Sequence, residues 1–195
     1  VDNPIRSRWH WDTDAFVLLS TRSWSPLYGV EELAKAFVRA FEKYPQLRLL
    51  MLGDCPLSAR IKSIFSKAGL LNFVHFPGQV SQKDLPDYYR AADLYISTSH
   101  SDGTSISLLE ALGCGCPVLL SDIPGNREWV NEGVQGWLFA DGDVGALTKG
   151  ILRAVENKRN LPEMRINARR LAERRGDWNK NFPKIQEAFE IVQKL

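Results

Sequence analysis

Residues 95–122 read "YISTSHSDGTSISLLEALGCGCPVLLSD", and the order of textures within that stretch decides the fold. A short apolar run, "DLYIST" (93–98), gives way to a polar string with an acid, Asp102, and a glycine, Gly103. A helix-like run, "SISLLEALG" (105–113), carries a second acid, Glu110, and a second apolar run, "PVLLS" (117–121), follows. Two strands separated by a helix run parallel, because only a long crossover can return the chain to the same end of the sheet. The stretch therefore predicts one βαβ unit with Asp102 in the loop after its first strand and Glu110 on the crossover helix. Three roles are open for the two carboxylates at this point: a catalytic pair, a ligand clamp, or helix punctuation.

The same alternation extends in both directions. Further strands are expected at "AFVLLS" (15–20), "LRLLML" (47–52), "NFVHFP" (72–77) and "GWLFA" (136–140). Helical patterns lie between them at "GVEELAKAFVRAFEKY" (29–44), "LSARIKSIFSKAG" (57–69), "KDLPDYYRAA" (83–92) and "GNREWV" (125–130). In the first of these Leu33, Phe37, Val38 and Phe41 form an apolar stripe at the helical period. The predicted class is α/β, a doubly wound parallel sheet of about six strands with a helical C-terminal segment. The single domain 1–195 divides into a polar lead-in (1–14), a parallel α/β core (15–142) and three helical pieces (143–195). There is no internal repeat and no low-complexity linker.

Composition narrows the function classes. The 195 residues are 44% hydrophobic and 25% charged, ordinary for one globular core, and the net charge of +2 is too small for a nucleic-acid footprint. The cluster Arg169, Arg170, Arg174 and Arg175 reads as a solvated helix face. No apolar run approaches the roughly 20 residues that span a bilayer, and nothing at the N-terminus looks like a signal peptide. A cytoplasmic chain is expected, and Val1 in place of Met suggests a piece of a longer protein. Cys55, Cys114 and Cys116 form neither a disulfide framework nor a zinc site, so reduced, buried thiols are expected.

In a doubly wound sheet ligands bind beyond the carboxyl ends of the strands. The loops there are 21–29, 53–56, 77–82, 99–105 and 122–125. Two readings of Arg22 stand side by side: a fork for a phosphate, or a surface arginine lying along Trp24. Gly103, Thr104 and Ser105 can present N–H and hydroxyl donors at a helix start. Plain capping competes, since Ser107-x-x-Glu110 fits a capping box and Asp102 or Thr104 could be an N-cap. Of the three histidines only His100 falls in a candidate loop. Neither G-x-G-x-x-G nor a P-loop follows any strand, which argues against NAD and ATP enzymes. "GCGC" ends a helix, where Gly113 and Gly115 act as stop signals.

These residues match a known signature. "SDGTSISLLEALGCGCPVLLSDIPGNREWV" resembles that of the GT-B-fold retaining glycosyltransferases of the glycogen-synthase and mannosyltransferase type, the glycosyl transferases group 1. There an acid followed by glycine precedes a glutamate by eight positions, and "G-x-P-V" and a strand follow. Asp102, Gly103, Glu110, Gly115, Pro117 and Val118 occupy the matching places. "LLMLGD", "VHFPGQVSQKDLPDYYRAADLYISTS" and "GWLFADGDVGALTKGI" look like other landmarks of that family, and "RGDWNKNFPKIQEAFEIVQ" is similar to its tail helix, which swings back toward a partner domain. The landmarks run from residue 15 to 195.

The resemblance implies the C-terminal, nucleotide-sugar-binding half of a two-domain enzyme, a Rossmann-like half of a GT-B fold. An N-terminal acceptor domain lies outside this chain. By position, Glu110 would accept the ribose hydroxyls, Asp102 the sugar hydroxyls, Arg22 the diphosphate, the loop 103–105 sugar and diphosphate through backbone N–H groups, and the Gly78 to Val80 backbone the base. The donor would be a UDP-, GDP- or ADP-sugar, with no cofactor and no metal. The acceptor would be a glycan or lipid-linked sugar reached through the N-terminal domain, and the full-length protein could sit at the cytoplasmic face of a membrane. The isolated domain is expected to bind donor without turnover.

Two departures stand out. Where the family has a diphosphate-binding lysine five residues after the arginine, this loop is one residue longer and carries Tyr28, so the clamp would rely on Arg22 and neutral donors, with Arg127 or His100 as candidate helpers. The first acid is aspartate instead of glutamate. Competing readings are a non-catalytic carbohydrate-binding or protein-interaction module with this fold, and a flavodoxin-like phospho-acceptor, which would need acids where Thr21 and Arg22 stand. A retaining glycosidase would need two carboxylates about 5 Å apart, which eight intervening residues do not guarantee.

Overall fold

The structure, a computed structural model, describes residues 3–53 and 58–192. Its sheet has six parallel strands in the order β3-β2-β1-β4-β5-β6. They are β1 (Phe16–Ser20), β2 (Leu47–Leu52), β3 (Val74–Gly78), β4 (Leu94–Ser97), β5 (Val118–Ser121) and β6 (Gly136–Phe139). The order reverses direction between β1 and β4, where the chain, having wound outward through β2 and β3, returns to wind the other way. At that switch the loops leaving two adjacent strands part and open a crevice.

Strand residues alternate between two cores, as a pleat with helices on both faces requires. Phe16, Leu18, Leu49 and Met51 bury with α2 (Val30–Phe41), α3 (Ser58–Lys67) and α7 (Val144–Glu156). Val17, Leu19, Leu50 and Leu52 bury on the opposite face with α4 (Leu85–Ala91), α5 (Ile106–Gly113) and α8 (Leu161–Arg175). In α2, Leu33 and Phe37 of the expected stripe are fully buried, whereas Val38 and Phe41 pack at its edge. Asp143 caps α7 by accepting from the N–H groups of Gly145 and Ala146. The segment expected as three helical pieces ends in α9 (Trp178–Val192), which leaves Trp178, Phe182, Ile185, Phe189 and Val192 exposed at helical spacing. No helix among the described residues is long and apolar enough to cross a membrane.

The polar lead-in is more structured than its composition suggested. It contains a helix, α1 (Pro4–Arg8), started by the Asn3 side chain, which accepts from Ile5 N–H at 2.9 Å, and by Pro4 in the first turn. Ile5 is buried in the second core, and Arg6 binds Asp93 at 2.6 Å and the carbonyl of Ala91 at 2.9 Å. Asp93 also accepts from Val17 N–H, so this ion pair ties α1 to the amino ends of β1 and β4, away from the crevice. The third strand starts two residues later than expected because residues 71–73 form a 3-10 turn, and β3 runs on to Gly78. Residues 125–130 were expected to be helical; the helix α6 is shorter, Pro124–Arg127. Cys116 is buried and its thiol is pushed up to about 12 by that burial, while Cys114 is half-buried and also raised. Cys55 lies outside the described residues.

His75 on β3 holds the end of the N-terminal segment. Trp11 donates from Nε1 to His75 Nε2 at 3.0 Å, and the Trp9 ring lies 4.2 Å away, centroid to centroid. Burial first, then the charge of Arg48, hold the imidazole below its usual range. A histidine with a lowered folded-state pKa contributes stability that is fully present above its unfolded value near ~6.5 and is lost as pH falls through the folded value. Denaturation midpoints are therefore expected to fall between pH 7.5 and 5.5 by more in the wild type than in His75→Phe. Equal slopes in the two proteins would refute this role.

Candidate functional site

At the β1/β4 switch the loop after β1 and the loop after β4 face each other over a cavity of about 610 Å³. Its wall includes Thr21, Arg22, Tyr28, Gln79, Val80, Asp102, Thr104, Ser105, Ser107 and Glu110. A neighbouring trough of about 790 Å³, between α4, α5 and α8, shares Leu85 and Glu110 with it.

Arg22 is the centre of the crevice. Its side chain is 9% exposed; Nη1 donates to Ser105 Oγ at 2.6 Å and to Ser107 Oγ at 2.9 Å, and Nη2 donates to Asp102 Oδ2 at 2.5 Å. The plane lies over the Tyr28 ring, 4.2 Å from its centroid. Nε is buried with no partner among the described residues. Arg22 does not lie along Trp24, which is buried in the core and donates to the carbonyl of Leu52.

This arrangement overturns the capping readings. Ser105 sits at the N-cap of α5 in extended backbone, with no capping hydrogen bond from its side chain. The helix starts at Ile106, so Ser107 lies inside its first turn and the expected Ser107-x-x-Glu110 capping box is out of register. Ser105 and Ser107 both turn their hydroxyls to Arg22, and Asp102 is engaged by the guanidinium instead of by a helix N–H. At the true N-cap, Ser105, the hydroxyl serves a charge-assisted contact about eighty residues away in sequence in place of its own helix, because hydrogen bonds to an ion are the stronger ones.

Glu110 stands on the second turn of α5 and accepts from the Tyr89 hydroxyl at 3.0 Å. Tyr89 in turn lies 3.1 Å from Thr21 Oγ1. Burial, then the neighbouring Tyr95, push the Tyr89 phenol far above its ordinary value, so it stays protonated and donates. The Tyr95 hydroxyl beneath is fully buried with no partner among the described residues.

Of the residues singled out from sequence, Arg22, Val80, Asp102, Thr104, Ser105 and Glu110 meet in the one cavity. Gly78, at the end of β3, accepts from Gly53 N–H behind it. Gly103 belongs to the same loop as Asp102, and α6 packs against that loop. A Cβ on Gly125 would stand 2.6 Å from the carbonyl oxygens of both Asp102 and Gly103, so only glycine allows this approach. Two proposed helpers lie elsewhere: His100 Nδ1 is 2.8 Å from Asp141 Oδ1, and Arg127 is spent on Asp122. Neither lines the cavity. The tyrosines 28 and 89 were missed as site residues, and so was Thr21. Tyr89 sits in an apolar helical pattern that reads as core, and its hydroxyl partners cannot be seen from spacing.

Known proteins resemble this chain in sequence and in fold. The model of the family described as glycosyl transferases group 1 matches residues 1–171. A phosphatidyl-myo-inositol mannosyltransferase of Mycobacterium leprae is 29% identical over 177 residues, 90% of this chain and 46% of the relative. The chain spans less than half the length of the curated relatives it matches first. Among solved structures, Anabaena HepE in complex with UDP and glucose superposes with a TM-score of 0.87 at 25% identity, over 96% of this chain and 51% of that one. The C-terminal domain of a glycosyl transferase group 1 family protein from Francisella tularensis, at 18% identity, shares the fold with a TM-score of 0.78, over 88% of this chain and 92% of that one.

Proposed function

The chain belongs to the glycosyl transferases group 1 family and has the Rossmann-like half of a GT-B fold, and from that premise we propose that it is the donor-binding domain of a retaining hexosyltransferase. The observation that carries this reading is the switch-point cavity, whose wall includes both a buried arginine, Arg22, and a carboxylate, Glu110. A nucleoside diphosphate sugar has the matching polarity: an anionic diphosphate in the middle, a ribose diol on one side and sugar hydroxyls on the other.

In this reading Glu110 accepts the two ribose hydroxyls, which a carboxylate can do at once. The backbone of Gly78 to Val80 faces the base, and the loop from Gly103 to Ser105 offers N–H groups to sugar and phosphate. Arg22 meets the diphosphate with the Nη2–H that Asp102 leaves over and with its charge, and it stabilises the leaving diphosphate as the glycosidic bond breaks. Ser105 and Ser107 fix the guanidinium in advance, so little reorganisation accompanies the chemistry. Tyr28, which stands near the place of the family lysine, adds no charge and instead supports the face of Arg22. Asp102 has one oxygen on Arg22 and offers the other to the sugar. Transfer proceeds without a bound metal, to a glycan or lipid-linked acceptor held by an N-terminal domain, and the domain alone binds donor without turnover.

The structure with UDP and glucose makes a UDP-sugar the first donor to try. Calorimetric titration with UDP-glucose, GDP-mannose and ADP-glucose is expected to give saturable binding of at least one, weakened about tenfold or more by Glu110→Ala. Absence of binding to all three at millimolar concentration would sink the proposal. Binding of free sugar that is indifferent to the nucleotide would point to a carbohydrate-binding module instead.

A further inference from the structure

Glu110 reaches the cavity from a helix whose neighbours leave it only one hydrogen-bond donor among the described residues, the Tyr89 hydroxyl at 3.0 Å. Tyr89 is on α4, is fully buried, and packs its ring 5.7 Å from that of Tyr95. Packing alone asks only for the ring; a phenylalanine would fill the space. The hydroxyl needs a separate reason, and its hydrogen bonds give one. An ionised carboxylate only accepts, so Tyr89 spends its single proton on Glu110 Oε2. Its oxygen can then only accept from the Thr21 hydroxyl, 3.1 Å away, and the direction of the relay is forced: Thr21 to Tyr89 to Glu110. Thr21 directly precedes Arg22, so the relay joins the loop that holds the cation to the helix that holds the carboxylate.

We infer that Thr21 and Tyr89 are positioning residues for Glu110, holding one carboxylate oxygen from behind so that the other is presented, already oriented, to the vicinal ribose hydroxyls of a nucleoside diphosphate. This rests on the reading of Glu110 as the ribose acceptor. A glutamate side chain left free would lose rotational freedom on binding; one restrained by a buried phenol has lost it beforehand, and that difference appears as affinity. The relay acts on the ribose alone and not on the diphosphate or base.

The test is a calorimetric comparison of UDP, GDP and ADP, and of the 2′,3′-dideoxy form of whichever binds most tightly. The proteins are the wild-type chain, Tyr89→Phe, Thr21→Val, Glu110→Ala and the double variant of positions 89 and 110. Tyr89→Phe is expected to weaken the ribonucleotide roughly five- to tenfold, the scale of one hydrogen bond to a charged group acting indirectly. It should leave the dideoxy form unchanged and add nothing to Glu110→Ala. Thr21→Val should show the same signature with a smaller loss. Equal weakening of both nucleotide forms, a further loss on top of Glu110→Ala, or full ribonucleotide affinity in Tyr89→Phe would each overturn the relay. If Glu110→Ala weakens the ribonucleotide and Tyr89→Phe does not, only the relay fails. If Glu110→Ala itself is silent, the reading of the site fails and the relay with it.

Discussion

Arg22→Met is expected to weaken nucleoside diphosphate sugar binding about a hundredfold, the upper end of what one charge-assisted hydrogen bond to phosphate contributes, and to destabilise the fold by roughly 2–3 kcal/mol. The latter lies below the ~3–5 kcal/mol of a fully buried pair because Asp102 is partly exposed. Both effects come from one geometry. The Arg22 side chain is 9% exposed, and its guanidinium serves Ser105, Ser107 and Asp102 while resting on Tyr28. Removing it leaves a three-quarters-buried carboxylate at Asp102 without its counter-ion, and uncompensated charge dominates the cost of breaking such pairs. The serines are less affected, since their hydroxyls are 3.0 Å apart and can bond each other. Adding Asp102→Asn to Arg22→Met should therefore restore much of the stability and none of the binding. Arg22→Lys should restore little of either, because one ammonium cannot address two serines and a carboxylate in a plane stacked on a ring. Denaturant midpoints and calorimetric titration of the four proteins check this. Donor affinity within threefold of wild type in Arg22→Met would remove Arg22 from the diphosphate site.

How much of this was legible beforehand follows from how local each signal is. The strands could be read because β1 and β2 are buried on both faces, which leaves nearly unbroken runs of Val, Leu and Met. The end of the sheet on which the crevice opens follows from βα alternation, but which two loops flank it depends on the strand order, which alternation leaves open. The helix α1 was not legible: Ile5 is its one buried residue, and what anchors it is Arg6 reaching Asp93, a partner 87 residues away. The same separation hid the site's internal wiring. Ser107 and Glu110 spell a capping box locally, but the helix starts two residues earlier than that box requires, with Ser105 at its N-cap. The Ser107 hydroxyl is taken by Arg22 from the loop after β1, and Glu110 by Tyr89 from α4. Tyr28 was read as the gap left by a lysine, while in space it is the platform for Arg22. His100 was drawn in because its loop is right, yet its ring turns to Asp141 on the far side of that loop. Sequence order finds the loops that surround a site; which side chains face each other across it is decided by pairings between loops.

The second large effect is expected at a residue with no side chain. Gly29 links the 3-10 turn holding Tyr28 to the start of α2, and it does so at φ +57°, in the left-handed region. A Cβ there would stand 2.3 Å from the carbonyl oxygen of Thr98, just past the end of β4. Thr98 also donates its hydroxyl to the carbonyl of Tyr28 at 2.7 Å, so the two loops of the switch point are clasped at this spot. Gly29→Ala meets two costs together: a left-handed conformation for a residue with Cβ, and displacement of a backbone carbonyl that no side-chain rotation can relieve. Each is worth roughly 1–3 kcal/mol, and together they predict a loss of about 2–6 kcal/mol in chemical denaturation. Because relief must come from separating the two loops, donor affinity should fall as well, through Tyr28 losing its place beneath Arg22. Gly69 provides the control. It shares the positive φ, +71°, but has open space around the Cβ position, so Gly69→Ala should show the conformational cost alone and leave donor binding intact. Equal destabilisation by the two substitutions would mean that the clasp between Thr98 and the 28–29 peptide contributes nothing, and that the crevice is held open by the sheet alone.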